Sequence, residues 1–229
     1  MKAMILAAGL GTRLQPLTTD RPKALVEVGG RTMLEITLAR LRASGIRDVI
    51  INVHHFAGMI VEYLNKNRNF RMHIEVSRED DLLLNTGGGL KKAAWFFEGT
   101  SEPFVLHNVD VISTIDFQRM ARFHDERGAL ATLAVKDRQT SRPLIFDEQL
   151  ELRGRGPGLA FCGIHLISPR LLENLLEEGA FSIIDTYLRL AASGERIIAF
   201  RADDYYWRDL GTPANVMEAE RDLEQGRWG

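Results

Sequence analysis

One cysteine, Cys162, stands among 229 residues. It excludes an internal disulfide and any zinc site built on cysteine pairs. Its apolar surroundings predict a buried structural thiol. Charge of one sign is also lacking: 29 Lys and Arg face 31 Asp and Glu, a formal net charge of −2. No global field therefore favours nucleic acid or anionic lipid, and any phosphate site has to be assembled locally. No apolar stretch approaches the ~20 residues of a membrane span. The run from Met1 to Ala8 stops at Gly9, with Gly11, Arg13 and Pro16 close behind, and reads as a buried strand rather than an export signal. A cytoplasmic chain without membrane or nucleic-acid partners is the expectation. Nothing fixes the oligomeric state, and a homodimer is compatible with the sequence.

Strand and helix patterns alternate from the start. Lys2 to Ala7 predicts a strand, and Met33, Leu34, Ile36, Leu38 and Leu41 recur at helical spacing before the stop at Gly45. Val49 to Val53 predicts a strand, Met59 to Leu64 a helix and His73 to Val76 a third strand. Leu90 to Phe97 looks helical, with Trp95, Phe96 and Phe97 in the core. Phe104 to Leu106 leads a strand into Asp110, Phe117 to Arg127 is amphipathic, and Ala131 to Val135 is again a strand. The pattern predicts an α/β fold, a mostly parallel open sheet of Rossmann-like type with helices on both faces.

The rhythm loosens after Lys136. Leu144 to Phe146 and Leu150 to Leu152 flank a turn and predict a hairpin. A strand follows from Leu159 to Ile167, then helices near Pro169 to Leu176 and Ile183 to Ala192. Ile197 to Phe200 and Tyr205 to Trp207 predict strands, and Pro213 opens a last helix. No linker interrupts the chain. Residues 1–229 read as one domain, with a first part at about 1–136 and a smaller, irregular lobe at 137–229.

Three motifs carry chemistry. Gly9-Leu10-Gly11-Thr12-Arg13 follows the first strand, where glycines let backbone N–H groups approach phosphate oxygens and an arginine adds charge. Leu14 stands where a dinucleotide fingerprint needs its third glycine, and no Walker lysine follows. A tight strand-to-helix turn would explain a lone G-x-G equally well. Lys23, ten residues after Arg13 and stiffened by Pro22, supplies a second cation for a second phosphate. Asn85-Thr86-Gly87-Gly88-Gly89 reads as a glycine turn ahead of a helix, able to approach a flat ring or a phosphate closely. Asn108-Val109-Asp110 puts a carboxylate at the C-terminal end of a strand, the edge where open α/β sheets bind ligands. Mg²⁺ needs only one or two protein carboxylates beside phosphates and water. A further carboxylate, Asp209, arrives late in the chain in Trp207-Arg208-Asp209-Leu210-Gly211-Thr212-Pro213.

The stretch from Leu6 to Thr18, continued by Pro22-Lys23-Ala24-Leu25, closely resembles the signature of the sugar-phosphate nucleotidyltransferases. The resemblance implies that Gly9, Gly11, Arg13 and Lys23 contact a nucleoside triphosphate, with Leu6, Ala8, Thr12 and Asn108 in the nucleotide's reach. It places Arg13 toward the departing pyrophosphate and Lys23 toward the α-phosphate. Thr86, Gly87 and Gly88 become a base-binding turn, similar in form to that of the muramic acid 1-phosphate uridylyltransferases. Asp209 falls in a segment resembling W-x-D-x-G-T-P, which makes Asp110 and Asp209 the Mg²⁺ ligands. Val109 departs from the glycine usual before the first aspartate. Gly163 resembles the family's sugar-facing glycine and Asp185 its acceptor-binding aspartate.

The implied reaction joins a nucleoside triphosphate to a sugar 1-phosphate with release of pyrophosphate, by positioning and electrostatics. The T-G-G-G turn and the compact chain favour uridylyl transfer to N-acetylmuramic acid 1-phosphate. Guanylyl transfer to mannose or heptose 1-phosphate is the close alternative. A glycosyltransferase using a nucleotide sugar and a silent ligand-sensing module are the rivals. The sequence leaves open whether His54, His55, Arg138 or Arg142 touches substrate. Lack of a third ligand at zinc spacing favours packing or loop roles for the two histidines.

Overall fold

The computed structural model describes residues 1–229. Seven strands form one sheet: β1 (Ala3–Leu6), β2 (Asp48–Val53), β3 (His73–Arg78), β4 (Phe104–Asn108), β5 (Ala131–Lys136), β6 (Ala160–Ile167) and β7 (Ile197–Arg201). Their spatial order is β7-β5-β6-β4-β1-β2-β3. Only β6 runs antiparallel to its neighbours; the other pairings are parallel. The expected α/β class and mostly parallel sheet are therefore present. Six helices accompany it: α1 (Met33–Ala43), α2 (Ala57–Lys66), α3 (Asn85–Lys92), α4 (Phe117–Glu126), α5 (Ile183–Ala192) and α6 (Pro213–Glu224). No helix is long and apolar enough to cross a membrane.

Alternation along the strands decides which core each helix joins. In β1, Ala3 and Ile5 belong to a large apolar cluster with α1, α2, α4 and α6, whereas Met4 and Leu6 belong to a second one with α3 and α5. A sheet buried on both faces reads as continuous apolar runs, which is how β1 and β2 appear in the sequence. Each fully buried Leu, Ile or Phe contributes roughly 1.5–3 kcal/mol relative to exposure. Side-chain caps fix where the helices begin. Thr32 accepts from Glu35 N at α1, Asp116 from Gln118 and Arg119 N at α4, Ser182 from Ile184 N at α5, and Thr212 from Asn215 N at α6.

Several local expectations are corrected. The triple glycine is not a turn ahead of a helix: it lies inside α3, which ends at Lys92, and Ala94–Phe97 is a separate 3-10 turn. Close packing explains why glycine is tolerated there. A methyl group on Gly87 would stand 2.3 Å from the Phe181 ring, one on Gly88 2.4 Å from Gly179 O, and one on Gly89 2.8 Å from Asn52 and Glu79. Phe96 and Phe97 are buried, but Trp95 is 50% exposed, because the 3-10 turn rotates it out of the stack. The helix expected near Pro169 is a 3-10 segment, Pro169–Asn174. The second hairpin strand lies at Leu152–Arg155, with a register shift inside it between Leu152 and Gly154. The late strand is Trp207–Asp209, paired antiparallel with Val111–Ser113, so Asp209 belongs to a strand.

The sheet changes direction at β1, with β2 and β3 added on one side and β4 on the other. Open α/β sheets bind ligands at such a switch, beyond the C-terminal strand ends. Register places Leu6 of β1 opposite both Asn52 of β2 and Asn108 of β4.

Candidate functional site

Two clefts meet at that edge. The first, of roughly 430 Å³, is lined by Leu6, Ala8, Gly9, Lys23, Asn52, Leu83, Asn85, Thr86, Asn108, Asp110 and Ala180. The second, of roughly 350 Å³, includes Arg138, Arg142, Arg155, Gly163, Trp207 and Asp209. Asn85, Thr86 and Asn108 line both.

The glycine loop brings Lys23 to the first cleft by tight geometry, while Arg13 stays exposed and lines neither cleft. Gly11 adopts φ +67°, a left-handed conformation that favours glycine, and caps the 3-10 turn carrying Arg13. Thr18 closes the loop by donating to Gly11 O at 2.8 Å. A methyl group on Gly9 would stand 3.1 Å from Lys23 Nζ, so the bare backbone leaves that ammonium its place. Lys23 Nζ donates to Asp110 Oδ2 at 3.0 Å, with both side chains only 14% exposed. Burial pushes the Asp110 carboxyl up, but the Lys23 ammonium, the local backbone N–H and the Arg13 guanidinium outweigh it. Together they hold it below the usual carboxylate range.

Asp209 reaches the same region from the far end of the chain. Its strand pairs Asp209 with Val111, and Leu210 N donates to Asp110 O at 2.8 Å. Gly211 N donates to Asp209 Oδ1 at 2.6 Å, and a methyl group on Gly211 would lie 2.7 Å from the Arg13 guanidinium. Arg13 and Asp209 therefore meet at Gly211. The neighbouring Arg208 anchors the ribbon to α6 through Asp222 Oδ2 at 2.6 Å, and Tyr206 OH donates to the same oxygen at 2.8 Å. No group of three or more His, Cys, Asp or Glu side chains gathers as a metal cluster. Asp110 lines the first cleft and Asp209 the second.

The sequence-predicted residues divide by place. Leu6, Ala8, Gly9, Lys23, Thr86, Asn108 and Asp110 line the first cleft, and Gly163, Asn108, Thr86 and Asp209 line the second. Gly11 and Thr12 shape the loop that presents Arg13. Gly87 and Gly88 line neither cleft. Their N–H groups are spent on Phe181 O, so they dock α3 against the segment at 179–183 instead of meeting a ring. Asp185 is ion-paired with Arg155 at 2.6 Å, and Arg155, not Asp185, lines the second cleft. Gly163 has φ +75°, and a methyl group there would stand 2.8 Å from Asn108 Nδ2. Asn108 Oδ1 is buried without a partner where the clefts join.

His54 and His55 line neither cleft. His54 Nδ1 donates to Glu79 O at 2.5 Å, and His55 packs on Phe56. Cys162 is fully buried, and burial pushes its thiol up to about 12, so it is unreactive near neutrality. Sequence reasoning missed Asn52, Leu83 and Ala180. Asn52 had a signal, a lone amide in the otherwise apolar run Val49–Val53. Its Oδ1 accepts from Ala7 N and its Nδ2 donates to buried Glu79. Ala180 had none, because only the packing of α3 brings it to the first cleft.

The sequence model of the family described as "Nucleotidyl transferase" matches residues 2–144. N-acetylmuramate alpha-1-phosphate uridylyltransferase of Caulobacter vibrioides is 32% identical, with 97% of each chain covered. Mannose-1-phosphate guanyltransferase of Candida albicans is 30% identical over 95% of this chain and 63% of its own length. Among solved structures, HddC from Yersinia pseudotuberculosis complexed with GMP-PN superposes with a TM-score of 0.79 at 21% identity, over 97% of this chain and 99% of the other. A Bacillus anthracis protein solved with a sucrose gives 0.85 at 19% identity, over 100% and 97%.

Proposed function

This chain belongs to the nucleotidyl transferase family, and from that premise we propose that it transfers uridylyl from UTP to the 1-phosphate of an N-acetylmuramic acid-type sugar. The observation that carries the reading is the junction of the two clefts at Asn85, Thr86 and Asn108, with the Lys23–Asp110 pair lining the first cleft beside it. The first cleft takes the nucleotide and the second takes the sugar 1-phosphate, so the reacting phosphates come together at that junction. Residues 1–136 supply most of the nucleotide side and 137–229 most of the sugar side, with Ala180 crossing to the first cleft and Asn85, Thr86, Asn108 and Val111 to the second. Nucleoside triphosphates and sugar phosphates are cytoplasmic metabolites, which makes the cytoplasm the proposed location.

A sugar 1-phosphate loses its second proton near pKa ~6 and is already a dianion at neutral pH. Its oxygen attacks the α-phosphorus in line, a new P–O bond forms, the bond to the β-phosphate bridge breaks, and pyrophosphate leaves with that electron pair. No general base is required. The chain's task is to align two polyanions and absorb their charge. Lys23 offers its ammonium to the α-phosphate. Arg13, from the loop end, faces the departing pyrophosphate.

Two carboxylates in a site fed by phosphates suit Mg²⁺, which commonly takes only one or two protein oxygens. Lys23 Nζ already places a cation on Asp110. Asp110 and Asp209 would hold the ion, whose chemistry is to neutralise charge on the phosphates. Guanylyl transfer to mannose 1-phosphate is the second reading, favoured by the Candida relative. Pyrophosphate release from each of four nucleotides against several sugar 1-phosphates tests both. UTP with the muramic acid substrate is expected to lead by at least tenfold. A lead for GTP with mannose 1-phosphate selects the second reading, and silence throughout sinks both.

A further inference from the structure

The cations of the site are partitioned between the clefts. Lys23 lines the first, and Arg138, Arg142 and Arg155 line the second. A neutral sugar needs no cation for itself, and its 1-phosphate is met at the junction. Three arginines in the sugar cleft therefore exceed what a plain sugar 1-phosphate asks for.

Two of the three are already committed. Arg155 is answered by Asp185 at 2.6 Å. Arg138 donates to Phe161 O at 3.1 Å and Gln139 O at 3.2 Å, and its guanidinium lies 4.2 Å from the Trp207 ring centroid. That stack continues into the fold, because Trp207 Nε1 donates to Cys162 O at 2.7 Å. Arg138 is thus a fixed wall. Arg142 differs: only its backbone N–H is engaged, by Thr140 Oγ1 at 3.3 Å, and its guanidinium has no carboxylate or carbonyl partner. Leu144, Phe161 and Ile184 provide the apolar part of the same cleft.

We propose that Arg142 is a specificity-determining residue that grips a carboxylate carried by the acceptor sugar itself, separate from its 1-phosphate. The proposal rests on the transfer reaction above and deepens it. A guanidinium matches a carboxylate in fork geometry, whereas a lysine would act as a point charge. The site then selects acidic sugars over their neutral counterparts, because the neutral sugar leaves Arg142 without its partner.

The test compares N-acetylmuramic acid 1-phosphate with N-acetylglucosamine 1-phosphate, which lacks the acid, by pyrophosphate release in the wild-type chain, Arg142→Gln and Arg142→Lys. Hydrogen bonds to charged groups predict that Arg142→Gln lowers the acidic-to-neutral ratio of kcat/KM by roughly 10- to 100-fold, mainly through KM. Arg142→Lys is expected to restore part of it. An equal loss on both sugars overturns the proposal and assigns Arg142 to the shared 1-phosphate. An Arg142→Gln variant that turns over both sugars like the wild type overturns it too, as does a wild-type preference for the neutral sugar, and in these three cases the transfer reaction stands. If the wild-type chain turns over neither sugar with any nucleotide, the transfer reading itself has failed and takes the proposal with it.

Discussion

Replacing Lys23 by Met separates the structural role of the Lys23–Asp110 pair from its chemical one. At 3.0 Å, two unit charges attract by about 5–6 kcal/mol at an effective dielectric of ~20. Part of that is offset by desolvation, and truncating one partner of a buried pair costs about 3–5 kcal/mol. Both side chains keep 14% exposure, so the low end, about 3 kcal/mol, is expected for Lys23→Met. For a chain of this size that is a fall in Tm of roughly 6–12 °C. The loss depends on pH in a fixed direction. In the wild type the cation holds Asp110 below its unfolded value, which contributes stability above pH ~4 and loses it as pH falls through the folded value. Without the cation, burial lifts that carboxyl instead, which costs stability above pH ~4. The two proteins therefore diverge at pH 7 and converge below pH ~4. Lys23→Met/Asp110→Asn removes both charges and is expected to recover all but about 1 kcal/mol. Turnover behaves differently: each single variant and the double lose at least ~10²-fold, because the charges aimed at the phosphates are gone. Urea unfolding at pH 7 and pH 4, beside pyrophosphate release, reads both. A double variant no more stable than the singles would refute the coupled pair.

Two further outcomes follow from the packing. Gly87→Ala places a methyl group 2.3 Å from the Phe181 ring, and overpacking of this kind costs about 1–3 kcal/mol, more than the roughly 1 kcal/mol that alanine gains over glycine in a helix; a higher urea midpoint for the variant would contradict the docking role of α3. His107, His124 and His165 are buried and their folded pKa values are lowered by that burial to about 4, about 4 and about 3. The unfolded chain therefore takes up protons first as pH falls below ~6.5, and stability declines toward pH 4 by up to ~1.4 kcal/mol per pH unit for each ring. A flat urea midpoint between pH 7 and pH 5 would show that these rings are not held neutral.

Much of the site was legible because its chemistry is local. The loop from Gly9 to Lys23 is one continuous segment whose glycines and cations are close in sequence, and Asp110 follows its strand directly. The alternating apolar runs likewise dictated β1, β2 and the helices beside them, since burial on both faces leaves a plain periodic signal. Trp95 and the segment after Pro169 were misread because a 3-10 turn and an α-helix share apolar spacing over so few residues.

The sequence by itself determined the kind of sheet, the strand edge at which the two clefts open, and the loop that carries Arg13 and Lys23. Tertiary structure decided which side chains share the site. Asp209 comes to lie opposite Val111, the residue after Asp110, only because its strand pairs with Val111–Ser113. The triple glycine proved to be a packing surface because Phe181 and Gly179 close on it. Arg155 is neutralised while Arg142 remains free because Asp185 faces one and not the other. Contacts of that kind depend on distances between residues remote in the chain, which periodicity and local propensity do not encode.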